Sequence, residues 1–133
     1  MKFYTNVEQA GNRLLVRGYN NGERYSDRVP FNPTLFLPTK QYSKWKTLEG
    51  EPVQPHRFGS ITEAREFVKG YKEVPDFEIH GNTRFLYQYI AEQHPEDQVK
   101  FDSSKIRIFN IDIETAAENG FPDIESADQE ILA

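Results

Sequence analysis

The sequence predicts an α+β fold (mixed α/β) in which an antiparallel β-meander is combined with two helices. Three observations support this fold class. Short alternating segments separated by turn residues fill the first third of the 133-residue chain, two segments with helical spacing follow, and a last β-prone segment begins at residue 99. A chain of this length can bury one hydrophobic core, and 37% hydrophobic with 28% charged residues is an ordinary globular composition.

The first third of the chain alternates in the manner of antiparallel strands. Three strands are predicted, at residues 2–9, 13–19 and 24–31. They are separated by turn signals that contain Gly11 and Gly22, residues that tolerate positive φ. A short apolar strand over 32–38 is framed by prolines, which suit an edge strand or a strand end because proline donates no backbone hydrogen bond. Residues 39–58 are polar and rich in turn residues.

Two helices are predicted in the middle of the chain. Ser60 and Glu63 form a capping box that starts the first, and Val74-Pro75 ends it. Its apolar residues recur at helical spacing, namely Ile61, Ala64, Val68 and Tyr71. The second helix is predicted over 82–94, where Asn82 or Thr83 caps it and Pro95 stops it. A short strand over 76–81 lies between the two helices.

The β-prone segment 99–115 carries two carboxylates, Asp112 and Glu114, at the end of a predicted strand over 106–113. Side chains alternate along a strand, so both carboxylates share one face, about 7 Å apart by the rise per residue. Two carboxylates at this separation can share divalent ions, as in two-metal phosphodiester chemistry. Oxygen ligands favour Mg²⁺ or Mn²⁺.

The Asp-x-Glu pattern alone says little, because it occurs at 76/78, 112/114, 123/125 and 128/130. The pair at Asp112 and Glu114 differs by its apolar context, where charge is costly without compensation. The alternative is that these carboxylates face water on a structural strand. Asp76, Glu78 and His80 form a competing metal trio, for which the alternative is again plain solvent exposure. The three histidines have no zinc-type spacing.

Charge is distributed unevenly along the chain. Residues 1–58 hold nine Lys/Arg and five Asp/Glu, whereas residues 106–133 hold one and seven. Within the basic part, aromatic and lysine side chains alternate in a pattern that suits nucleic-acid backbone contact with base stacking. These residues are Tyr42, Lys44, Trp45 and Lys46. The alternative is that the two aromatic residues pack on the domain while the lysines are solvated.

Several classes of site and location are excluded or disfavoured by composition. The chain has no cysteine, which excludes disulfides and thiolate metal sites and favours an intracellular protein. No apolar run approaches the roughly 20 residues that span a membrane, and the N-terminal segment has no signal-peptide pattern. No phosphate-binding glycine loop and no GxSxG motif is present.

The motif FNIDIET around Asp112 and Glu114 resembles the first exonuclease motif of family B replicative DNA polymerases. The resemblance extends over nearly the whole chain. In order, KFYTNVEQAGNRLLVRGYNNGERYSDRV, PTLFLPTKQYSKWKTLEG, SITEAREFV and GNTRFLYQYIAE are similar to the N-terminus of such polymerases from T-even-like bacteriophages. Each short motif is weak, and their order and spacing carry the resemblance.

This resemblance implies two domains. Residues 1–105 would be an incomplete polymerase N-terminal domain, and residues 106–133 would begin a ribonuclease H-like 3′–5′ exonuclease domain with its first strand. Asp112 would bridge both catalytic metals and Glu114 would bind one of them, Mg²⁺ or Mn²⁺, so that water attacks the 3′-terminal phosphodiester. The family's other exonuclease carboxylates and all polymerase motifs lie outside this sequence. The chain is therefore expected to be an inactive fragment of a DNA-directed DNA polymerase.

The implied partners are template and primer DNA, a single-stranded 3′ end and the remainder of the polymerase chain, with no membrane, in the cytoplasm of an infected bacterium. RNA is a further partner, because some polymerases of this family repress translation of their own messenger RNA. Two alternatives remain open. One is a stand-alone module or split subunit that binds single-stranded DNA or RNA, and the other is an unrelated structural α/β domain.

Overall fold

The computed structural model describes residues 1–95, 100–117, 120, 123, 125–127 and 130–132. The chain divides into two compact units, Met1–Ser103 and Ser104–Ala133. The first unit contains two three-stranded antiparallel sheets and two helices, which confirms the α+β class. In the described residues, no helix has the length and apolar character needed to cross a bilayer.

The first sheet, called sheet A, is the predicted antiparallel meander. Its strands lie in the order β1-β2-β3. They span Lys2–Ala10 (β1), Arg13–Asn20 (β2) and Glu23–Pro30 (β3). The connecting turns use positive φ at Gly11, Asn21 and Gly22, of 64°, 50° and 89°, which glycine and asparagine adopt at low cost.

Sheet A contains one close backbone approach. Gly18 lies opposite Tyr4, and the register then shifts so that Asn6 pairs with Arg17. A Cβ atom at position 18 would lie 2.1 Å from the carbonyl oxygen of Phe3. Only glycine fits at this position, because the backbone of β1 lies too close to it, beside the bulge, to leave room for a Cβ atom.

The second sheet, called sheet B, was only partly predicted. Its strands are β4 (Thr34–Pro38), β5 (Trp45–Lys46) and β6 (Pro52–Arg57), in the order β4-β6-β5. The short strand predicted over 32–38 is confirmed as β4, at one edge of this sheet, whereas segment 39–58, described only as polar and rich in turn residues, contains β5 and β6. Strand β6 gives a weak signal because it contains two prolines and buries only Val53 fully.

The first helix begins where the sequence indicates and ends at Tyr71, before the predicted stop at Val74-Pro75. Helix α1 spans Ile61–Tyr71, and the Ser60 hydroxyl accepts a hydrogen bond from the Glu63 N–H at 3.1 Å. The Glu63 carboxylate in turn accepts from the Gly59 N–H at 2.8 Å, one residue before the usual partner in a capping box.

The second helix, α2, spans Phe85–Gln93 and is shorter than predicted. Its N-cap is Arg84, so the prediction of Asn82 or Thr83 as the cap was wrong. The Asn82 side chain instead accepts from the Arg84 N–H at 2.9 Å and closes a turn before the helix. Gln88 ties α2 to sheet B, since its amide exchanges two 2.9 Å hydrogen bonds with the Thr34 backbone.

The core lies between the sheets and the helices. It includes Leu14 and Val16 of β2, Leu35 of β4, Ile61 of α1 and Phe85 of α2. The predicted strand over 76–81 is reduced to one bridge, in which His80 exchanges hydrogen bonds of 2.8 and 2.9 Å with the Phe36 backbone. This single bridge fixes the connection between the helices against β4.

The second unit differs from its prediction. No strand forms over 106–113 in the part of the chain that the structure describes, and Val99, where the strand-like segment was to begin, lies outside that part. Ile108, Phe109 and Ile111 are about 80% exposed, at 81%, 79% and 83%. One antiparallel bridge joins Thr115 to Ile131. A strand that is apolar on both faces needs neighbours with which to pair, and the described residues supply only this short contact.

Candidate nucleic-acid interface and carboxylate pair

Segment 42–46 forms a fixed edge of sheet B. Trp45 and Lys46 constitute β5, opposite Val53 and Pro52 of β6. The Ser43 hydroxyl donates to the Val53 carbonyl at 2.6 Å and accepts from the Trp45 N–H at 3.1 Å. These bonds hold the backbone of the segment in place, so its side chains project from an ordered support.

The two aromatic residues of this segment behave differently. Trp45 is 45% exposed and its ring packs on Phe36 with centroids 5.3 Å apart, while the Lys44 ammonium lies 5.4 Å from the Trp45 ring centroid. Tyr42 is 96% exposed. The alternative was that both aromatic residues pack on the domain. Trp45 does so with about half of its surface, whereas Tyr42 does not. Both lysines are exposed, so a stacking ring and positive charge lie side by side.

The carboxylates Asp112 and Glu114 are both exposed and do not lie on a regular strand. The prediction that both lie at the end of a regular strand was therefore wrong, because the strand is not formed. The Glu114 backbone carbonyl accepts a hydrogen bond from the Leu132 N–H at 2.8 Å, which anchors the chain just after Asp112.

The fit of these two residues to a metal ion is incomplete. Carboxylate oxygens are the correct donors for Mg²⁺ or Mn²⁺. However, the described residues contain no group of three or more histidine, aspartate or glutamate side chains that could hold a metal. A two-metal site needs more ligands than this pair supplies.

The competing trio Asp76, Glu78 and His80 lines a cleft of about 1020 Å³ in the first unit. The cleft also exposes Lys40 and Lys72, so its charges are mixed. The trio does not form a metal-binding group within the described residues. The structure fits the interpretation that these residues are polar side chains open to solvent, and not a metal site.

A smaller cavity of about 240 Å³ lies between sheet A and α2, lined in part by Tyr25 and Tyr89. Burial raises the pKa of both phenols above the ordinary value, and Asp27 raises both further by like-charge repulsion of the phenolate. Tyr4 and His94 also line it, with ring centroids 5.0 Å apart. Sequence inspection missed this cavity because its residues are scattered along the chain and form no motif.

Comparison with known proteins gives two relatives and no matching family model. The chain is 32% identical over 133 residues to the DNA-directed DNA polymerase of Enterobacteria phage T4, covering 99% of this chain and 14% of that polymerase. It is 30% identical over 135 residues to the DNA-directed DNA polymerase of Escherichia phage RB69, covering 99% of this chain and 15% of that polymerase. The resemblance to DNA polymerases of T-even-like phages is thereby confirmed, with nearly the whole of this chain similar to a small part of each enzyme.

Proposed function

We propose that this chain is the N-terminal part of a phage DNA-directed DNA polymerase that also has a 3′–5′ proofreading exonuclease and acts in viral DNA replication. The observation that carries the proposal is the similarity of 99% of the chain to the polymerases of phages T4 and RB69. The unit Met1–Ser103 would serve as the polymerase N-terminal domain, and Ser104–Ala133 would begin the exonuclease domain.

In this proposal Asp112 and Glu114 contribute carboxylate ligands to the exonuclease metal site, and Mg²⁺ or Mn²⁺ would supply charge stabilisation there. The pair alone does not complete that site among the described residues, so we further propose that the isolated chain is catalytically inactive. The partners would be primer–template DNA with a single-stranded 3′ end, together with the remainder of the polymerase chain.

The exposed apolar residues of the second unit support the remainder of the polymerase as a partner. Ile108, Phe109 and Ile111 each leave about four-fifths of their surface in water. Burying such a side chain stabilises a protein by roughly 1.5–3 kcal/mol. Neighbouring strands would pair with the backbone of segment 106–113, and elements packed on the two faces of that sheet would cover these side chains.

A chimaera tests the proposal. The segment of phage T4 DNA polymerase that matches this chain is replaced by the 133 residues, and extension of a labelled primer is measured. We expect extension within about thirtyfold of the parent enzyme, because packing changes remote from the active site usually cost one or two kcal/mol. The matched control deletes the segment. A folded chimaera that extends no better than the deletion would contradict the proposed function.

A second candidate function is a stand-alone or split-subunit module that binds single-stranded DNA or RNA, RNA binding being a route to translational repression. The observation that favours it is segment 42–46, where Tyr42 is 96% exposed and Lys44 lies over the half-exposed Trp45 ring. Base stacking on an aromatic residue contributes about 1–3 kcal/mol per base, and adjacent lysines contact phosphates. We expect this binding to be weak and sensitive to salt.

The double variant Trp45→Ala, Lys46→Ala tests this surface. It should weaken binding of a labelled single-stranded oligonucleotide by roughly 10- to 100-fold, because one stacking ring and one phosphate contact are lost. Fluorescence anisotropy measures the affinity. The control Lys69→Ala, Tyr87→Ala removes one exposed lysine and one half-exposed aromatic residue elsewhere in the first unit. Equal affinities of the two variants would remove segment 42–46 from consideration.

A further inference from the structure

The outward face of sheet A carries arginine from two neighbouring strands. Leu14 and Val16 of β2 are buried, so the residues between them point to the opposite face. In the register of the sheet, Leu15 lies opposite Arg28 and Tyr19 lies opposite Arg24, and directly opposed residues share a face. Four exposed arginines therefore share this outward face, namely Arg13, Arg17, Arg24 and Arg28.

Acidic residues of the sheet are mostly on the other face. Asp27 lies opposite the buried Val16, and Glu23 lies opposite Asn20, so both belong to the inward set. Among the residues of the three strands, all of which the structure describes, Glu8 is the one carboxylate in the outward set, and it forms a 3.0 Å ion pair with Arg17. The outward face thus holds four guanidinium groups and a single carboxylate.

The arginines are spaced along the face. Arg13 and Arg17 lie about 13 Å apart on β2, and Arg24 and Arg28 lie about 13 Å apart on β3, by the rise per residue of a strand. The Arg24 guanidinium lies over the Tyr19 ring at 5.8 Å, and its Nε donates to the Tyr19 hydroxyl at 3.2 Å. This contact holds the Arg24 guanidinium beside the Tyr19 ring on the outward face, and arginine and tyrosine are side chains on which bases stack.

We propose that this arginine face, Arg13, Arg17, Arg24 and Arg28, binds the phosphate backbone of single-stranded DNA. Guanidinium groups match phosphate geometry and keep their charge at any physiological pH. An open sheet with a stacking plane accommodates a flexible strand whose bases are free. The choice of DNA as the ligand rests on the proposed polymerase function. The positive charge of the face is observed independently of that proposal. The site is distinct from segment 42–46, which belongs to sheet B.

Anisotropy of a labelled oligo(dT) with the full 133-residue chain tests the proposal. Three or four phosphate contacts predict a slope of log affinity against log salt of roughly −2 to −3. The triple variant Arg13→Gln, Arg24→Gln, Arg28→Gln should reduce the affinity by roughly 100-fold at 0.1 M salt and make the slope shallower by about 2, because each lost contact removes about 0.7. The control Arg65→Gln, Lys69→Gln, Lys72→Gln removes the same charge from α1 and its C-terminal end.

A gain of affinity provides the second arm. Glu8→Gln removes the carboxylate that pairs with Arg17 and should tighten binding several-fold, an outcome that a purely structural role for these residues does not predict. Thermal melts verify that each variant is folded. A triple variant that binds like the α1 control, or tighter binding of RNA or duplex DNA of the same length, would overturn the assignment. Because the chimaera measures primer extension independently, failure of this face leaves the polymerase proposal to its own test.

Discussion

Gly18→Ala is expected to destabilise the chain by about 3 kcal/mol or more. The added Cβ atom would lie 2.1 Å from the Phe3 carbonyl oxygen and 2.8 Å from the Tyr4 Cα atom. Both neighbours are backbone atoms of β1, so no side-chain rotation can relieve the overlap. Strand β1 must move away from β2, which disrupts the ladder beside the bulge at Tyr4.

The same substitution at Gly70 provides a matched control with the opposite sign. Gly70 lies within α1, and a Cβ atom there meets no other atom within 4 Å. Alanine in a helix is more stable than glycine by roughly 0.5–1 kcal/mol, so Gly70→Ala should raise the free energy of unfolding. Urea denaturation of the two variants and the parent chain measures both changes. A Gly18→Ala variant as stable as the parent would contradict the described approach of β1 to β2.

The elements predicted well are those whose signals are local. Alternation and glycine turns identified β1, β2 and β3, and the Ser60–Glu63 cap identified the start of α1. These features depend on residues a few positions apart, and the structure places them accordingly. In the same way, the exposure of Lys44 beside Trp45 follows from a short polar segment at a sheet edge.

The elements predicted poorly depend on distant partners. Strand β6 has little pattern of its own and exists because β4 and β5 bond to its two sides. The opposite case is segment 106–113, which has strong β-propensity but lacks partners among the described residues. Propensity describes how a residue fits a pleated, half-buried surface, so without a neighbouring strand it does not produce one.

The arginine face was also invisible to sequence inspection, for a related reason. Arg13 and Arg17 lie four residues apart on β2, as do Arg24 and Arg28 on β3, and neither spacing is unusual alone. Only the register that sets Leu15 against Arg28 and Tyr19 against Arg24 brings the four onto one face. The separation of these arginines from Asp27 likewise follows from pairing and not from composition.

Asp112→Ala in the chimaeric polymerase is expected to lower 3′–5′ exonuclease activity by more than about 100-fold while leaving primer extension within about twofold. Loss of a group that merely supports a metal ligand already costs roughly 10- to 100-fold, so loss of a ligand should cost at least as much. Extension should survive because, in the proposed function, the polymerase motifs belong to the remainder of the polymerase. Asp123→Ala is the matched control, since Asp123 is an exposed aspartate of another Asp-x-Glu pair in the same unit.

Degradation of end-labelled single-stranded DNA in Mg²⁺ by the chimaera, its Asp112→Ala variant and its Asp123→Ala variant tests whether this chain supplies part of an exonuclease site. We expect the chimaera and the Asp123→Ala variant to trim the 3′ end at similar rates. The Asp112→Ala variant should not trim it, and the isolated 133-residue chain should be inactive. The assignment of Asp112 to the exonuclease would be contradicted if the Asp112→Ala and Asp123→Ala variants trimmed equally. The inactivity of the isolated chain would be contradicted if it trimmed DNA above the background set by its own Asp112→Ala variant.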